Sequence, residues 1–263
     1  MKIYDQNIWG NFASGQCIAN RNILIKEMIF ENRPDFCCFQ ECNPKTSRSG
    51  DTPIQRIISS KYTEILPDFE NRNFTPLFYN AEKVKVLDCG FYPFKGLNDI
   101  NSKSFTWGVF EEIKTRKKVA VTSTHFWWKS QNLKDDEQRE KNAEEVFDMV
   151  RSVYNKYNVP VLVAGDLNCM KGKSGYKRLT ELGMKDVRYI SNESDFSFTC
   201  SNEYPVLENG IYTRGATPEY SIDHIFLYGT ELVDVKKFSV INSEKALASS
   251  DHLPLILEFE LRS

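Results

Sequence analysis

The chain has 263 residues, of which 41% are hydrophobic and 27% are charged, and its formal net charge at pH 7 is -2. This is the composition of an ordinary folded protein, so the disordered and fibrous classes are excluded. Nonspecific nucleic-acid binders carry a clear excess of Lys and Arg, because their affinity comes largely from neutralising phosphates. The near-neutral charge therefore argues against long duplex DNA as a partner, although a local basic patch would still permit it.

The beginning of the chain predicts a strand, a helix and a second strand. Ile3 to Ile8 has the pattern of a strand, and Ile18 to Phe30 carries apolar residues at helical spacing. Pro34 lies just beyond the second segment and acts as a helix stop. Phe36 to Phe39 is a short apolar run that predicts a buried strand.

The middle of the chain changes to successive β runs. These are Leu77 to Tyr79, Val84 to Phe91, Phe105 to Ile113 and Val119 to Phe126. A polar turn at Thr115 to Lys118 joins the last two, which predicts a hairpin. Asp135 to Tyr157 then carries apolar residues at intervals of three and four, the pattern of a long amphipathic helix.

The last part of the chain returns to strands. Pro160 to Ala164 is continuously apolar, as expected for a strand covered on both faces. Further strands are predicted at Ile222 to Tyr228, Leu232 to Val240 and Leu253 to Leu261. No repeat or linker divides the chain, so we expect one domain over residues 1–263. Many strands with a few helices predict an α/β (α+β) fold, a four-layer sandwich of two packed mixed β-sheets flanked by helices.

The cysteines and the apolar runs bear on the compartment. There are 7 cysteines, and Cys37, Cys38 and Cys89 lie within or beside apolar runs, which favours packed thiols over disulfides. No CxxC pair supports a structural zinc site. No run approaches the roughly 18 apolar residues of a membrane span, and the N-terminus lacks an apolar stretch of signal-peptide length. We expect a cytoplasmic protein, or a secreted one whose signal peptide has been removed. The oligomeric state is left open.

Polar side chains collect where the apolar strands end. Asn7 closes the first strand, Glu41 follows the second, and Asp166 and Asn168 follow the run that ends at Gly165. Side chains two residues apart on a strand point the same way, so Asp166 and Asn168 can face one site. Loops at strand ends are where rigid scaffolds place their functional residues.

The 3 histidines give the sharpest indication of chemistry. His125 lies near the end of a predicted strand, while His224 and His252 directly follow the aspartates Asp223 and Asp251. One such histidine alone is best explained as a hydrogen-bonded core residue. Three in comparable settings favour a site that holds a metal, polarises a phosphate or moves a proton.

The carboxylates and amides of this set are hard oxygen ligands. Without a cysteine pair or an HxxxH cluster, they favour Mg²⁺ or Mn²⁺ over zinc. Mg²⁺ commonly takes one or two protein carboxylates and completes its shell with water and substrate phosphate. A site built from Asn7, Glu41 and Asp251 would fit, although a single acidic residue after a strand is more often a turn or cap residue.

Taken in chain order, these segments resemble the endonuclease/exonuclease/phosphatase (DNase I-like) superfamily. The matching segments are Asn7-Ile8-Trp9, Gln40-Glu41, Thr124-His125, Gly165-Asp166-Leu167-Asn168, Ile222-Asp223-His224-Ile225-Phe226 and Ser250-Asp251-His252-Leu253-Pro254. Each is weak alone, but together they follow the family's order over nearly the whole chain. The resemblance implies a two-sheet sandwich with its site at the open edge between the sheets.

The resemblance also implies roles for the residues that bind metal and activate water. Glu41 is the main metal ligand, Asn7 assists it, and Asp251 lies close to the same or a second ion. Asp166 orients or deprotonates the attacking water. Which residue is the general base stays open.

The remaining residues are expected at the phosphate. Asn168 hydrogen-bonds to it, and His252, oriented by Asp223, contacts the scissile phosphate or acts as the acid/base. His125 binds a nonbridging oxygen or assists the leaving group. The implied reaction is in-line attack of water on phosphorus without a covalent intermediate, with charge stabilised by the metal and the protein.

The chain departs from one branch of the family. Abasic-site endonucleases usually have an aspartate two residues after the first asparagine, where this chain has Trp9. They also tend to have a tyrosine region in place of Thr124-His125. The form with His125 is similar to DNase I, sphingomyelinase and inositol-phosphatase relatives, so we do not expect a role in DNA repair.

Other features have ordinary explanations. Gly172-Lys173-Ser174 suggests a P-loop, but Leu167 stands where the Walker pattern needs glycine. Trp127 and Trp128 could form a stacking wall for a substrate, although core packing of at least one explains them better. Arg139 either reaches the site or is a solvated salt-bridge partner.

We therefore predict a divalent-metal-dependent hydrolase of phosphoric esters. Its expected substrate is a phosphoester in a small molecule, a lipid headgroup or a nucleotide, in preference to long nucleic acid. A nuclease acting on DNA or RNA is the first alternative. A noncatalytic binding protein on the same scaffold is the second, and the intact set of Glu41, Asp166 and His252 argues against it. Specificity is expected from the loops at Asn43 to Pro53, Phe94 to Lys103, Trp127 to Lys134 and Ser201 to Thr217.

Overall fold

The computed structural model describes residues 1–10, 18–42, 54–65, 73–209, 211–213 and 217–262. Its strands are β1 (Lys2–Asn7), β2 (Phe36–Gln40), β3 (Thr63–Glu64), β4 (Leu77–Tyr79), β5 (Val84–Pro93), β6 (Ser104–Glu112), β7 (Lys118–His125), β8 (Val161–Asp166), β9 (Lys185–Asp186), β10 (Glu193–Ser194), β11 (Val206–Glu208), β12 (Ile211–Thr213), β13 (Asp223–Tyr228), β14 (Val233–Val240) and β15 (Leu255–Leu261). Its α-helices are α1 (Ile18–Asn32), α2 (Ile54–Ile58), α3 (Leu133–Tyr157), α4 (Ser174–Glu181) and α5 (Glu244–Ser249).

Two mixed β-sheets form the centre of the fold. The first has the strand order β10-β14-β15-β1-β2-β4-β3, and the second has the order β5-β6-β7-β8-β13-β9. Strands β11 and β12 pair with each other in a separate ribbon. The predicted α/β sandwich of two mixed sheets flanked by helices is confirmed.

The strand directions bring distant segments to one edge. In the first sheet β1 and β2 are parallel, with Asn7 opposite Gln40. In the second sheet β7 and β8 are parallel, with His125 opposite Asp166, and β13 runs antiparallel to β8 with Asp223 also opposite Asp166. Parallel neighbours end at the same edge of a sheet. The ends of β1, β2, β7 and β8 therefore present their polar residues together.

Strand β8 packs against a different apolar cluster on each of its two faces. Its side chains alternate, so Leu162 and Ala164 belong to the apolar cluster that also contains residues of the first sheet. Val161 and Val163 belong to a second cluster that includes the buried side chains of α3. A strand covered on both faces has a continuously apolar sequence, as observed here.

Helix α3 confirms the amphipathic prediction. It begins after Asn132, whose side chain accepts a hydrogen bond from the Asp135 backbone N–H, and it ends at Asn158 in the left-handed conformation. One face is buried, and the opposite face is charged. Within the ranges given above, no helix is long and apolar enough to cross a membrane.

Candidate active site

The predicted site residues gather around one cavity at the shared strand edge. The cavity has a volume of about 630 Å³. Its lining includes Glu41, Asp166, Asn168, Asp251 and His252. Asn7, His125 and Asp223 lie against it through contacts with those lining residues. The structure thus brings together the residues that the sequence singled out for metal, water and phosphate, with the exception of His224.

His252 and Asp223 form a buried pair. Both carboxylate oxygens of Asp223 lie 3.0 Å from Nδ1 of His252. The Thr199 hydroxyl donates to Asp223 Oδ2 at 2.7 Å, which fixes the carboxylate. Burial opposes a charge on His252, but Asp223, Cys200 and Asp251 together outweigh it and raise the pKa of the imidazole well above its ordinary value. Since Asp223 engages Nδ1, the other nitrogen, Nε2, is on the cavity side, where Cys200 Sγ lies 3.4 Å from it.

Asp166 is the centre of a second polar group. Its Oδ2 accepts a hydrogen bond from Asn7 Nδ2 at 3.0 Å and lies 3.3 Å from His125 Nε2. Burial alone would raise the pKa of this carboxyl. His125, His252 and Lys103 outweigh burial and hold the pKa below its ordinary range, so Asp166 carries a negative charge.

Lys103 is a site residue that the sequence did not identify. It is buried, lines the cavity, and places its Nζ 2.7 Å from His125 Nε2. Burial lowers the pKa of Lys103, while nearby carboxylates such as Glu41 oppose that effect. Burial and Lys103 in turn lower the pKa of His125. In the sequence, Lys103 looks like an ordinary lysine at the end of a polar loop, and only the pairing of Ser104 with His125 puts it beside the histidine.

The turn after β8 positions Asn168. The Asp166 carboxylate accepts a hydrogen bond from the Asn168 backbone N–H at 2.7 Å, and Asn168 Nδ2 donates to the Phe126 carbonyl at 3.1 Å. Asn168 has a φ of 50°, a left-handed conformation that asparagine tolerates better than most residues. Two anchors thus hold the amide at the cavity wall.

The loop after β1 packs tightly on the residue that follows β2. A Cβ atom at Gly10 would lie 1.9 Å from the Glu41 carbonyl oxygen, so glycine is required for this approach. Glu41 itself has a φ of 55°, a conformation that is costly for a non-glycine residue. The strain is located at the residue expected to bind metal.

Asp251 faces the same cavity as Glu41. Burial, together with repulsion from Glu41, raises the pKa of Asp251 to about 6. The segment that carries it is fixed on both sides, because the Ser250 hydroxyl donates to the Asn7 carbonyl at 2.7 Å and Gln6 Nε2 donates to the His252 carbonyl at 3.1 Å. Two carboxyls that repel each other in a buried cavity suit a divalent cation.

A second group of potential ligands lies beside Glu41 and Asp251. Single donor atoms of Asp166, Asp223 and His252 lie within 4.8 Å of one another. Asp223 is already engaged by His252 Nδ1 and by Thr199, and Asp166 by Asn7 and by the Asn168 backbone N–H. These internal bonds favour a role in handling protons over a role as the primary metal ligands.

His224 is a core residue, so the grouping of all three histidines as site residues is wrong. Its Nε2 lies 3.1 Å from the Cys169 carbonyl, and its Nδ1 lies 3.4 Å from Asp186 Oδ2. The ring packs edge-on against Tyr176, on the side of the second sheet that faces α4. Alternation along β13 explains this, since Asp223 and His224 point to opposite faces.

The structure also decides between the alternatives stated for Trp127, Trp128 and Arg139. Trp127 is buried and donates its indole N–H to Asp135, whereas Trp128 is exposed at the cavity wall. Packing of at least one tryptophan in the core is therefore confirmed. Arg139 does not reach the cavity. It forms the predicted kind of salt bridge, with its Nη2 2.6 Å from Asp136 Oδ1, but it is buried and not solvated. It is 2% exposed and donates to the Lys129 carbonyl and the Ser174 hydroxyl, which fixes the loop after β7.

One family model covers nearly the whole chain. The chain belongs to the endonuclease/exonuclease/phosphatase family, whose model matches residues 6–252. Members of this family are hydrolases that act on phosphoesters.

Solved structures share the fold at low sequence identity. An endonuclease/exonuclease/phosphatase from Bacteroides vulgatus is 18% identical with a TM-score of 0.75, and the match covers 99% of this chain and 98% of that chain. A mannosyl-6-phosphatase from Bacteroides thetaiotaomicron is 18% identical with a TM-score of 0.74, and the match covers 99% of each chain. The human Nocturnin catalytic domain is 15% identical with a TM-score of 0.73, and the match covers 100% of this chain and 94% of that chain. No curated protein sequence gives a significant match.

Proposed function

We propose that this protein is a divalent-metal-dependent hydrolase of phosphoric esters in small molecules, lipid headgroups or nucleotides. The observation that carries the proposal is the meeting of two hydrogen-bonded groups in one cavity. These are the Asp223–His252 pair and the group of Asp166 with Asn7. An ionised carboxylate beside an imidazole that a second carboxylate orients is suited to moving a proton at a bound phosphate.

Glu41, Asp251 and Asn7 would hold the metal. The two carboxylates fit Mg²⁺ or Mn²⁺ and include no thiolate, and the Asn7 amide oxygen, which also accepts a hydrogen bond from the Trp9 backbone N–H at 3.0 Å, would assist them. The raised pKa of Asp251 supports this fit, since burial and Glu41 disfavour its charge until a cation is bound. When bound, the metal would neutralise charge that develops on the phosphate and its leaving oxygen.

Asp166 would orient the attacking water. Its carboxylate is ionised and lines the cavity, and Asn7 fixes one of its oxygens. A fixed carboxylate can accept a hydrogen bond from water and aim the lone pair of the water oxygen at phosphorus. Attack then proceeds in line with the bond to the leaving oxygen, without a covalent enzyme intermediate.

The phosphate would be bound by positive and neutral donors on the cavity wall. His252, Asn168 and Lys103 line the cavity, and His125 adjoins Lys103. His252, whose pKa is raised against burial by Asp223, Cys200 and Asp251, would contact a phosphate oxygen or donate the proton that the leaving oxygen needs. These donors are fixed before substrate binds, so they stabilise developing charge without reorganisation.

A small substrate is supported by the charges of the cavity. Its described lining contains several carboxylates, and Lys103 is the one Lys or Arg in that part of the wall. A nucleic-acid strand would bring flanking phosphates, which need further basic residues to neutralise them. The structural neighbour described as a mannosyl-6-phosphatase also supports a small phosphoester.

The test is a panel of esters assayed with Mg²⁺, with Mn²⁺ and with EDTA. The panel holds bis-p-nitrophenyl phosphate, p-nitrophenyl phosphate, single-stranded DNA, plasmid and RNA. We expect metal-dependent hydrolysis of a small ester that falls at least about 100-fold in Glu41→Ala and in His252→Ala. Preferential cleavage of DNA or RNA, with a rate that falls steeply as salt rises, would favour the nuclease instead. Absence of both metal binding and turnover would favour a noncatalytic binding protein.

A further inference from the structure

The cavity extends well beyond the residues that would bind metal and phosphate. At about 630 Å³ it is several times larger than a phosphate group, and its wall also includes Asp99, Trp128 and Tyr204. These three residues have no part in the proposed hydrolytic chemistry. Ligand pockets combine apolar and aromatic walls with a few polar groups that orient the ligand.

Trp128 presents an anchored aromatic surface. Its side chain is 50% exposed, yet its indole N–H donates to Asp99 Oδ2 at 2.6 Å. The ring lies beside Trp127, with 6.3 Å between the ring centroids, and Trp127 is itself held by Asp135. A large aromatic ring that is fixed but exposed provides stacking area at low cost in conformational entropy.

Tyr204 presents a second anchored ring. It is 56% exposed and stacks on Trp9 at a centroid distance of 4.9 Å and an interplanar angle of 7°. The guanidinium of Arg21 lies 4.7 Å from the Trp9 ring centroid, and Arg21 is fully buried and bound to the Ile8 and Ser249 carbonyls. The stack thus connects an exposed tyrosine to the rigid core.

The carboxylate beside these rings points to a neutral partner, and Lys129, whose Nζ lies 5.4 Å from the Trp128 ring centroid, is outside the cavity lining. Oxygen Oδ2 of Asp99 is used by Trp128, and Oδ1 accepts no hydrogen bond from the described part of the chain. A carboxylate attracts hydroxyl and N–H donors and repels further phosphate groups. Lys103, the one Lys or Arg in the described lining, adjoins His125 at the expected phosphate site.

We propose that Trp128 and Tyr204 form a ring-binding subsite for the alcohol part of the phosphoester, with Asp99 accepting a hydrogen bond from that ring. The ligand class is a neutral ring that carries hydroxyl or N–H groups, as in a hexose phosphate or a nucleoside monophosphate. This proposal rests on the proposed function and specifies its substrate.

The test compares substrates that share an ester type and differ in the ring. For a monoesterase, mannose 6-phosphate and AMP are compared with glycerol 3-phosphate. For a diesterase, glycerophosphoinositol is compared with glycerophosphoglycerol. Wild type is assayed beside Trp128→Ala, Tyr204→Ala, the conservative Trp128→Phe, and Tyr189→Ala. Tyr189 is a matched control, because it is 47% exposed and lies outside the cavity lining.

We expect both alanine variants to lower kcat/KM about tenfold for the ring substrates and less than twofold for the ring-free ones. Trp128→Phe should retain most of the preference, and Tyr189→Ala should leave it unchanged. Comparison of the hexose with the nucleoside then identifies the kind of ring. If the alanine variants lost kcat/KM equally on ring and ring-free substrates, or lost none on either, the proposed subsite would be overturned.

A binding measurement separates this proposal from the proposed function. In Glu41→Ala, which should not turn substrate over, quenching of tryptophan fluorescence is followed as mannose 6-phosphate or AMP is added. Saturable quenching that disappears in the Glu41→Ala, Tyr204→Ala double variant, which keeps Trp128 as the reporter, supports the subsite even if wild type hydrolyses nothing. Failure of both ligands to quench would overturn the subsite even if wild type proves to be a hydrolase.

Discussion

At the scale of single residues, the pKa values of two buried carboxyls, Asp5 and Asp166, are shifted in opposite directions. Burial raises the pKa of Asp5 well above its ordinary value, and repulsion from Asp223 and Asp166 adds to this. One oxygen of Asp5 accepts from Gln40, and the other has no partner among the described groups. Asp166, by contrast, is surrounded by donors and stays charged. Contacts with neighbouring residues thus decide which carboxyl carries the negative charge in this region.

Glu64, which lies outside the site, allows a direct test of a pKa shift caused by burial. Burial raises its pKa from 4.5 to about 7. The unfolded chain therefore ionises first, and stability that is full below pH 4.5 is lost as the pH rises through 7. Glu64→Gln cannot ionise, so its free energy of unfolding should exceed that of wild type by roughly 2 kcal/mol at pH 8 and match it near pH 4.5. Urea unfolding at the two pH values measures this difference.

The exposed Glu82 is the matched control for that experiment. Glu82→Gln removes the same charge without relieving burial, and it should change the free energy of unfolding by less than about 0.5 kcal/mol at either pH. A difference between Glu64→Gln and wild type that does not grow with pH would show that burial does not govern the ionisation of Glu64.

Two residues of the cavity wall have no local signal in the sequence. Lys103 and Cys200 stand in segments that resemble ordinary loops, and neither lies in a recognisable motif. Lys103 reaches His125 because β6 pairs with β7, and Cys200 comes to lie 3.4 Å from His252 Nε2 through isolated bridges to Tyr220 and His252. Both contacts depend on long-range pairing, which residue type and spacing do not reveal.

At the scale of elements, β8 was predictable and the short strands were not. The apolar run before Asp166 and the periodicity of α3 have unambiguous patterns, and their observed bounds lie within two residues of the prediction. Strands β9 and β10 have two residues each and exist because they pair with β13 and β14. A two-residue segment has no periodicity to recognise, so tertiary pairing alone defines it.

Strand β8 also contains a glycine whose replacement tests the packing of the site. Gly165 has a φ of 150°, and a Cβ atom there would lie 1.9 Å from the Thr124 carbonyl oxygen. Because that atom belongs to the backbone of the adjacent strand, it cannot move aside cheaply. Gly165→Ala should lower the free energy of unfolding by roughly 3 kcal/mol, measured by chemical denaturation.

Gly172 provides the comparison for that variant. Its φ of 77° is also positive, but no atom lies within 4 Å of the position of its Cβ. Gly172→Ala should therefore lower the free energy of unfolding by only about 1 kcal/mol, which is the conformational cost alone. Equal losses in the two alanine variants would mean that the close approach of β7 and β8 does not limit this position.

At the scale of the whole molecule, the order of the strands in the two sheets brings the site residues together. Asn7 and His252 are separated by most of the chain, yet the order of the strands puts both at one edge. The order of motifs in the sequence was sufficient to predict the family and the fold. The loops that carry the proposed ring subsite are predicted from the sequence, and Trp128 is considered there as a stacking residue. Tyr204 is not, because its exposure and its stacking on Trp9 come only from tertiary packing.

The most direct test of the proposed function is the rate of ester hydrolysis by EDTA-stripped protein as Mg²⁺ is added back. Wild type should have no activity without metal and should saturate as Mg²⁺ rises. Glu41→Gln, which keeps the shape of the side chain and removes its charge, should need at least about 100-fold more Mg²⁺ for half-maximal activity. Hydrolysis by wild type in EDTA, or the same Mg²⁺ dependence in Glu41→Gln as in wild type, would contradict a metal site at Glu41.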